Sequence, residues 1–392
     1  MRNVRIGYAI SSLGLFMVAS CMSEQAGVAD AAASAPSVES QPRGAAPLPA
    51  AAASGAPRMS ALESVAAQYA EVANAVADAS QSHGDAAAPV DTFSSLEFLS
   101  APGASVHGRL PGRSSRTVVH EEVNEAENLF FTEDGRLFVS GGEDIYEIER
   151  GSSGSFKQSD HFDENCLVEG IVRSGNYLYG VCTANDDESF SAFLVAGELT
   201  KAPVFRTIAA LDQASIPNGI AVGPEGHLYV TYTLRSQIVR VTLAAPLEVA
   251  RTEIWADDLA AVNGIKYVDQ SMYVTVLDGD LVGRFLRIPV LEDGSAGTPV
   301  RLYERALTVL DDLLPFDDGF IITDFLKGTL IFWDAARGVY AETPALTFYS
   351  PTAVAQGRPP MFTERQLLVT EKGTILVRDE INGDLLSMYQ LP

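Results

Sequence analysis

One hairpin pattern recurs six times in this chain, and no other feature restricts its fold as much. The clearest copy is the apolar run Ile216-Pro217-Asn218-Gly219-Ile220-Ala221-Val222, followed by a tight turn at Pro224-Glu225-Gly226. A second run, Leu228-Tyr229-Val230-Thr231, completes it. Asn263-Gly264-Ile265 with Met272-Tyr273-Val274-Thr275 repeats it, as does Glu127-Asn128-Leu129 with Leu137-Phe138-Val139-Ser140. Asp311-Asp312-Leu313 with Phe320-Ile321-Ile322-Thr323 is a further copy, and Glu169-Gly170-Ile171 leads into Leu178-Tyr179-Gly180-Val181. The weakest begins Pro351-Thr352-Ala353-Val354. It crosses a longer loop through Gly357-Arg358-Pro359-Pro360 to Leu367-Leu368-Val369-Thr370. The opening positions, Glu127, Glu169, Asn218, Asn263, Asp311 and Thr352, follow one another at 41 to 49 residues.

Short β-branched and aromatic runs between turn residues read as strands. About four such strands per unit, at a period near 45 residues, form the signature of a propeller blade. The sequence therefore predicts an all-β fold, a six-bladed β-propeller over 116–392. Residues 116–123 supply a strand that helps close the ring, and a hairpin over Thr374 to Arg378 completes the last blade. A β-sandwich would not restart one hairpin at so regular an interval.

The chain before the repeats is of another kind. Arg2 and Arg5 precede a mostly apolar run from Ile6 to Val18, too short for a permanent span, so residues 1–20 read as an export signal. That run ends in Val18-Ala19-Ser20-Cys21, which resembles the lipobox of bacterial lipoproteins. The resemblance implies lipidation of Cys21. With Met22 rather than Asp next, it implies sorting to the outer membrane, the acyl chains being the only membrane contact. Residues 21–57, rich in Ala, Pro and Ser, read as a disordered tether. Ser60 and Glu63 form a capping box, and Leu62, Val65, Tyr69, Val72 and Val76 make one apolar stripe, predicting a helix within 58–84. Residues 85–115 read as a linker. The net charge of −24 argues against nucleic acid as a partner, since the surface repels phosphates.

In a propeller the first strand of each blade lines the central channel, so one register of all six strands meets in a ring. Here that ring is Glu127, Glu169, Asn218, Asn263, Asp311 and Thr352, with no Lys or Arg among them. Carboxylates and carboxamides together suit a hard divalent cation, Ca²⁺ or a similar ion. Gly219 and Gly264 allow the backbone to be crowded near the axis. Cys166 and Cys182 flank the hairpin of the second blade and are either a disulfide or two buried thiols. His161 lies either over the channel or in an ordinary loop. No Gly-x-Ser-x-Gly elbow supports serine-histidine catalysis.

Residues 116–392 resemble the six-bladed, calcium-dependent propellers of the regucalcin (senescence marker protein), gluconolactonase and paraoxonase superfamily. Glu127-Asn128-Leu129, Pro217-Asn218-Gly219-Ile220, Val262-Asn263-Gly264-Ile265 and Asp311-Asp312-Leu313 carry the resemblance. It implies calcium held by Glu127, Asn218, Asn263 and Asp311, with Asp311 also positioning or deprotonating a water. The expected activity is hydrolysis of a small-molecule lactone or related ester. The alternative is a non-catalytic propeller that binds a ligand or a protein around a structural calcium. Three departures stand out: Glu169 is an extra acid in the ring, Asp312 beside Asp311 makes the ligand ambiguous by one residue, and the last blade offers only Thr352.

Overall fold

The computed structural model describes residues 108–392, apart from 163, 187–188, 214, 279–280 and 374–382. The export signal with Cys21, the tether and the helix expected over 58–84 lie outside the described residues. So does the hairpin expected over Thr374 to Arg378.

Six four-stranded antiparallel sheets follow one another along the chain, as the repeat predicts. Their first strands are Ala126–Phe131, Leu167–Ser174, Pro217–Val222, Ala261–Val268, Leu310–Phe316 and Pro351–Gln356. These six contact one another in ring order, and the last, Pro351–Gln356, contacts the first, Ala126–Phe131. Five blades are built from consecutive strands. The sixth is completed by Gln366–Glu371, Leu385–Gln390 and, outermost, Arg116–His120 from the start of the repeats. Residues 116–120 thus close the ring as expected. The third strand of that blade is Leu385–Gln390.

The core is divided among the spaces between blades. Leu137 and Val139 pack toward the sixth blade, whereas Phe138 between them packs toward the second. All three are fully buried. A second strand in a propeller has an apolar neighbour on both faces, which is why these strands read as unbroken apolar runs. The same division recurs around the ring: Tyr179 packs with Val230, Tyr229 with Val274, Phe285 with Ile322, and Ile321 with Val369.

Each inner strand carries a bulge at the same place. Two residues there, Asn218-Gly219 in the third blade, stand opposite a single partner position, Thr231. Equivalent irregularities lie at Glu127-Asn128, Glu169-Gly170, Asn263-Gly264, Asp311-Asp312 and Thr352-Ala353. A bulge re-aims the side chain it displaces, and here it puts one polar residue of each blade at the same register. The second bulge residue lies against the next blade. A Cβ on Gly219 would fall 2.6 Å from the Asn263 carbonyl oxygen, and one on Gly264 equally close to that of Asp311. The crowding expected at these glycines is present.

Residues 108–115, the described part of the expected linker, run along the outside of the fifth and sixth blades. Leu110 N–H donates to the Glu342 carbonyl at 3.1 Å, and the Tyr389 hydroxyl donates to the Pro111 carbonyl at 2.7 Å.

Candidate functional site

The ring residues owe their positions to hydroxyl latches. Thr231 Oγ1 accepts the Gly219 N–H at 2.7 Å and donates to the Asn263 carbonyl of the next blade at 2.6 Å. Thr275 joins Gly264 to Asp311, and Thr323 joins Asp312 to Thr352. Thr370 joins Ala353 to Glu127, and Ser140 joins Asn128 to Glu169. These residues lie one or two positions before the ends of the second strands, opposite the bulges, a role the sequence reading did not assign. The second blade has Val181 there, which can do neither. Its latch position is instead flanked by the Cys166–Cys182 disulfide, with Cα atoms 5.6 Å apart. Cys182 stands opposite Val168, so the bridge runs diagonally from just before the inner strand rather than directly across it.

Glu127, Glu169, Asn218, Asn263 and Asp311 are all buried, between 4 and 7 % exposed. Thr352 belongs to the ring by register only. Its hydroxyl donates to the Ala126 carbonyl at 2.9 Å and bonds Thr370, so it is committed to ring closure. Glu169 lies close enough to Glu127 for the two carboxyls to interact. Burial, reinforced by the charge of Glu127, pushes the Glu169 carboxyl up to about 8. Burial also drives Asp311 well above the usual carboxylate range; Glu127, Asp312 and Glu169 add to the rise, and Lys372 opposes it.

The ring is not free of cations, a correction to the reading from its own six positions. Lys372, two residues beyond Thr370, reaches in and places Nζ 2.5 Å from Glu127 Oε2. Its side chain is 5 % exposed. Burial lowers its affinity for the proton, but Glu127, Glu169 and Glu125 outweigh that and hold it protonated. Lys266 pairs with Asp312 at 2.6 Å, and Asn128 Nδ2 reaches Asp312 Oδ2 at 3.2 Å. The two neighbouring aspartates therefore differ. Asp312 has its own cation, whereas Asp311 faces the carboxylates Glu127 and Glu169.

Oxygen donors, an excess of carboxylate and unmet polar atoms fit a hard divalent cation. Asn263 Oδ1 and Glu169 Oε2 are buried with no hydrogen-bond partner among the described residues, and Asn218 Nδ2 is likewise unmet. Such groups cost roughly 1–3 kcal/mol each when nothing meets them. Among the described residues no three His, Cys, Asp or Glu side chains close on one point. A metal centre here would need both carboxamides among its ligands.

Other polar groups belong elsewhere. His161 contacts Glu147 at 3.2 Å and the rings of Phe138 and Phe205, none of them a ring residue. A cleft of about 680 Å³ lies on the outer rim, lined by His120, Arg150, Phe156, Met361 and Phe362 among others, and includes no ring residue. Three of the buried unmet polar atoms among the described residues, on Glu169, Asn218 and Asn263, lie in the ring, and none lies on a residue lining that cleft.

No family model matches the sequence, and no curated protein matches it. Solved structures do resemble the fold. A PQQ-bound aldose sugar dehydrogenase from Streptomyces coelicolor aligns with a TM-score of 0.51 at 14 % identity, over 70 % of this chain and 98 % of that one. A luciferin-regenerating enzyme aligns at 0.51 and 12 %, over 70 % and 94 %. A putative gluconolactonase aligns at 0.50 and 12 %, over 70 % and 91 %. At such identities the likeness shows the propeller fold alone.

Proposed function

We propose that the ring is a calcium centre that hydrolyses a lactone or related ester, on a chain exported and anchored in a bacterial outer membrane through a lipid on Cys21. The observation that carries the reading is that Glu127, Asn218, Asn263 and Asp311 share one bulge register on four inner strands and are all buried, with the Asn263 oxygen unmet. These four would hold the ion. When bound, a divalent cation supplies Lewis acidity toward a carbonyl oxygen. The putative gluconolactonase among the similar propellers agrees with an ester substrate.

The protein's own residues have distinct parts. Asn218 and Asn263 contribute oxygen without charge, which keeps the centre electrophilic. Asp311 orients a water and takes its proton. Without the ion, burial and the charge of Glu127 raise its carboxyl; a bound cation would oppose that rise and ease the loss of a proton from a water that shares it. Asp312 is instead committed to Lys266 and Asn128.

One observation favours a second reading. The Lys372–Glu127 pair already satisfies one of the proposed ligands, as suits a non-catalytic propeller that binds a small molecule or a protein. A panel of lactones and aryl esters separates the two, using the full chain with calcium and then with chelator. The hydrolytic reading expects turnover that chelator abolishes and calcium restores. No turnover of any member in calcium would favour the binding propeller.

A further inference from the structure

We propose that Lys372 is a tethered cation competing with a divalent ion for Glu127, and that Glu125 receives its ammonium when the ion binds. The inference rests on the metal-centre reading and concerns how that centre is controlled. Two acceptors stand within reach of one ammonium. Lys372 Nζ is 2.5 Å from Glu127 Oε2 and 4.0 Å from Glu125 Oε2. Glu127 is in the ring and buried, whereas the Glu125 side chain is 25 % exposed and nearer the surface. The Glu125 backbone is fixed, its N–H donating to Asp384 Oδ1 at 2.8 Å.

Only the lysine side chain is free to make the move. Lys372 N–H donates to the Ser350 carbonyl at 3.1 Å. The preceding residue, Glu371, is gripped through both carboxylate oxygens by Arg116, at 2.7 and 3.0 Å, and by the Tyr349 N–H at 2.6 Å. The strand that closes the propeller thus anchors the base of the lysine. Its flexible four-carbon stem carries a compact charge that can swing between carboxylates.

Charge supplies the reason to swing. An ion that takes Glu127 as a ligand competes with the ammonium for the same carboxylate, and two cations a few ångströms apart in a buried site repel strongly. The lysine is also peculiar to this blade. The corresponding residues of the others are Gly142, Thr183, Thr233, Leu277 and Phe325, none of them charged. The paired ammonium stabilises the ring before the ion arrives and weakens the ion's hold once it does.

Calorimetric titration of the full-length protein with CaCl₂ tests this in Lys372→Met, Glu125→Gln and the double variant. Lys372→Met should bind calcium about tenfold tighter or better, since a like charge is gone from the site. Its melting temperature in chelator should fall below that of the wild type, and calcium should raise it by more. Glu125→Gln should weaken binding, and in the Lys372→Met background that penalty should largely vanish, as coupled residues require. Unchanged or weaker binding by Lys372→Met overturns the proposal. So does an equal Glu125→Gln penalty in both backgrounds. Should Lys372→Met not fold, unaltered calcium binding by Glu125→Gln overturns it alone. If Lys372→Met binds calcium and the wild type does not, the competition stands and the calcium reading of the wild type falls. If neither binds, both fall.

Discussion

The hydroxyl of Thr231 sits between two blades, accepting the Gly219 N–H at 2.7 Å and donating to the Asn263 carbonyl at 2.6 Å. It fixes both members of one bulge pair, and Asn218 and Asn263 are the side chains those bulges present. Thr231→Val keeps the shape and removes both bonds, leaving a buried N–H and C=O unmet. The expected loss is about 1–3 kcal/mol, measured by urea denaturation. Thr231→Ser should lose much less, because Ser140 performs the same task in the first blade. Equal loss in both variants would assign the effect to packing.

The second blade offers a complementary test. Val181 occupies the latch position, and Cys166–Cys182 staples the same end of the blade. Replacing both cysteines with alanine should cost about 2–4 kcal/mol, as for a native bridge closing a short loop. Adding Val181→Thr to that variant should recover about 1 kcal/mol by restoring a hydroxyl to Gly170 and Asn218. Further destabilisation by Val181→Thr would contradict the idea that bridge and latch do the same job.

The raised Glu169 and Asp311 carboxyls set a pH dependence with a definite sign. Burial first, and then the charge of Glu127, moves Glu169 from 4.5 to about 8, and Asp311 shifts the same way. In chelator the folded protein therefore retains protons that the unfolded chain has already released. Their contribution is full below the unfolded values and is lost as pH rises through the folded ones, over roughly pH 4 to 8. Glu169→Gln, neutral throughout, should gain melting temperature relative to wild type as pH rises across that window. A difference that does not change with pH would show that Glu169 does not hold its proton in the fold.

Asp311→Asn and Asp312→Asn should separate in any ester turnover detected. Asp311→Asn removes the proposed base and should lower kcat by about 10²–10⁴-fold. Asp312→Asn breaks the pair with Lys266 and should act mainly on stability. The reverse order would move the base by one residue.

The fold was legible because the period of the hairpin is a property of the chain. The same register also placed Glu127, Asn218, Asn263 and Asp311 about one axis. Three things escaped it. Ser140, Thr231, Thr275, Thr323 and Thr370 were visible as strand ends, but nothing local says that a terminal hydroxyl bridges to the next blade. Lys372 lies outside the ring register, so its reach to Glu127 depends on a side chain crossing from the sixth blade to the first. Its one signal was a charge where the other five repeats have none. The third strand of the last blade, Leu385–Gln390, lies beyond the last hairpin that the repeat reading placed.

The central claim is that these ring side chains bind one divalent cation. Calcium titration of the full-length protein by calorimetry, beside the Asn263→Ala/Asp311→Asn double variant, tests it most directly. The account predicts one calcium per wild-type chain, a melting temperature that rises with calcium because only the fold binds it, and neither effect in the variant. No heat of binding and no calcium-dependent shift in the wild type, or an undiminished response in the variant, would contradict it.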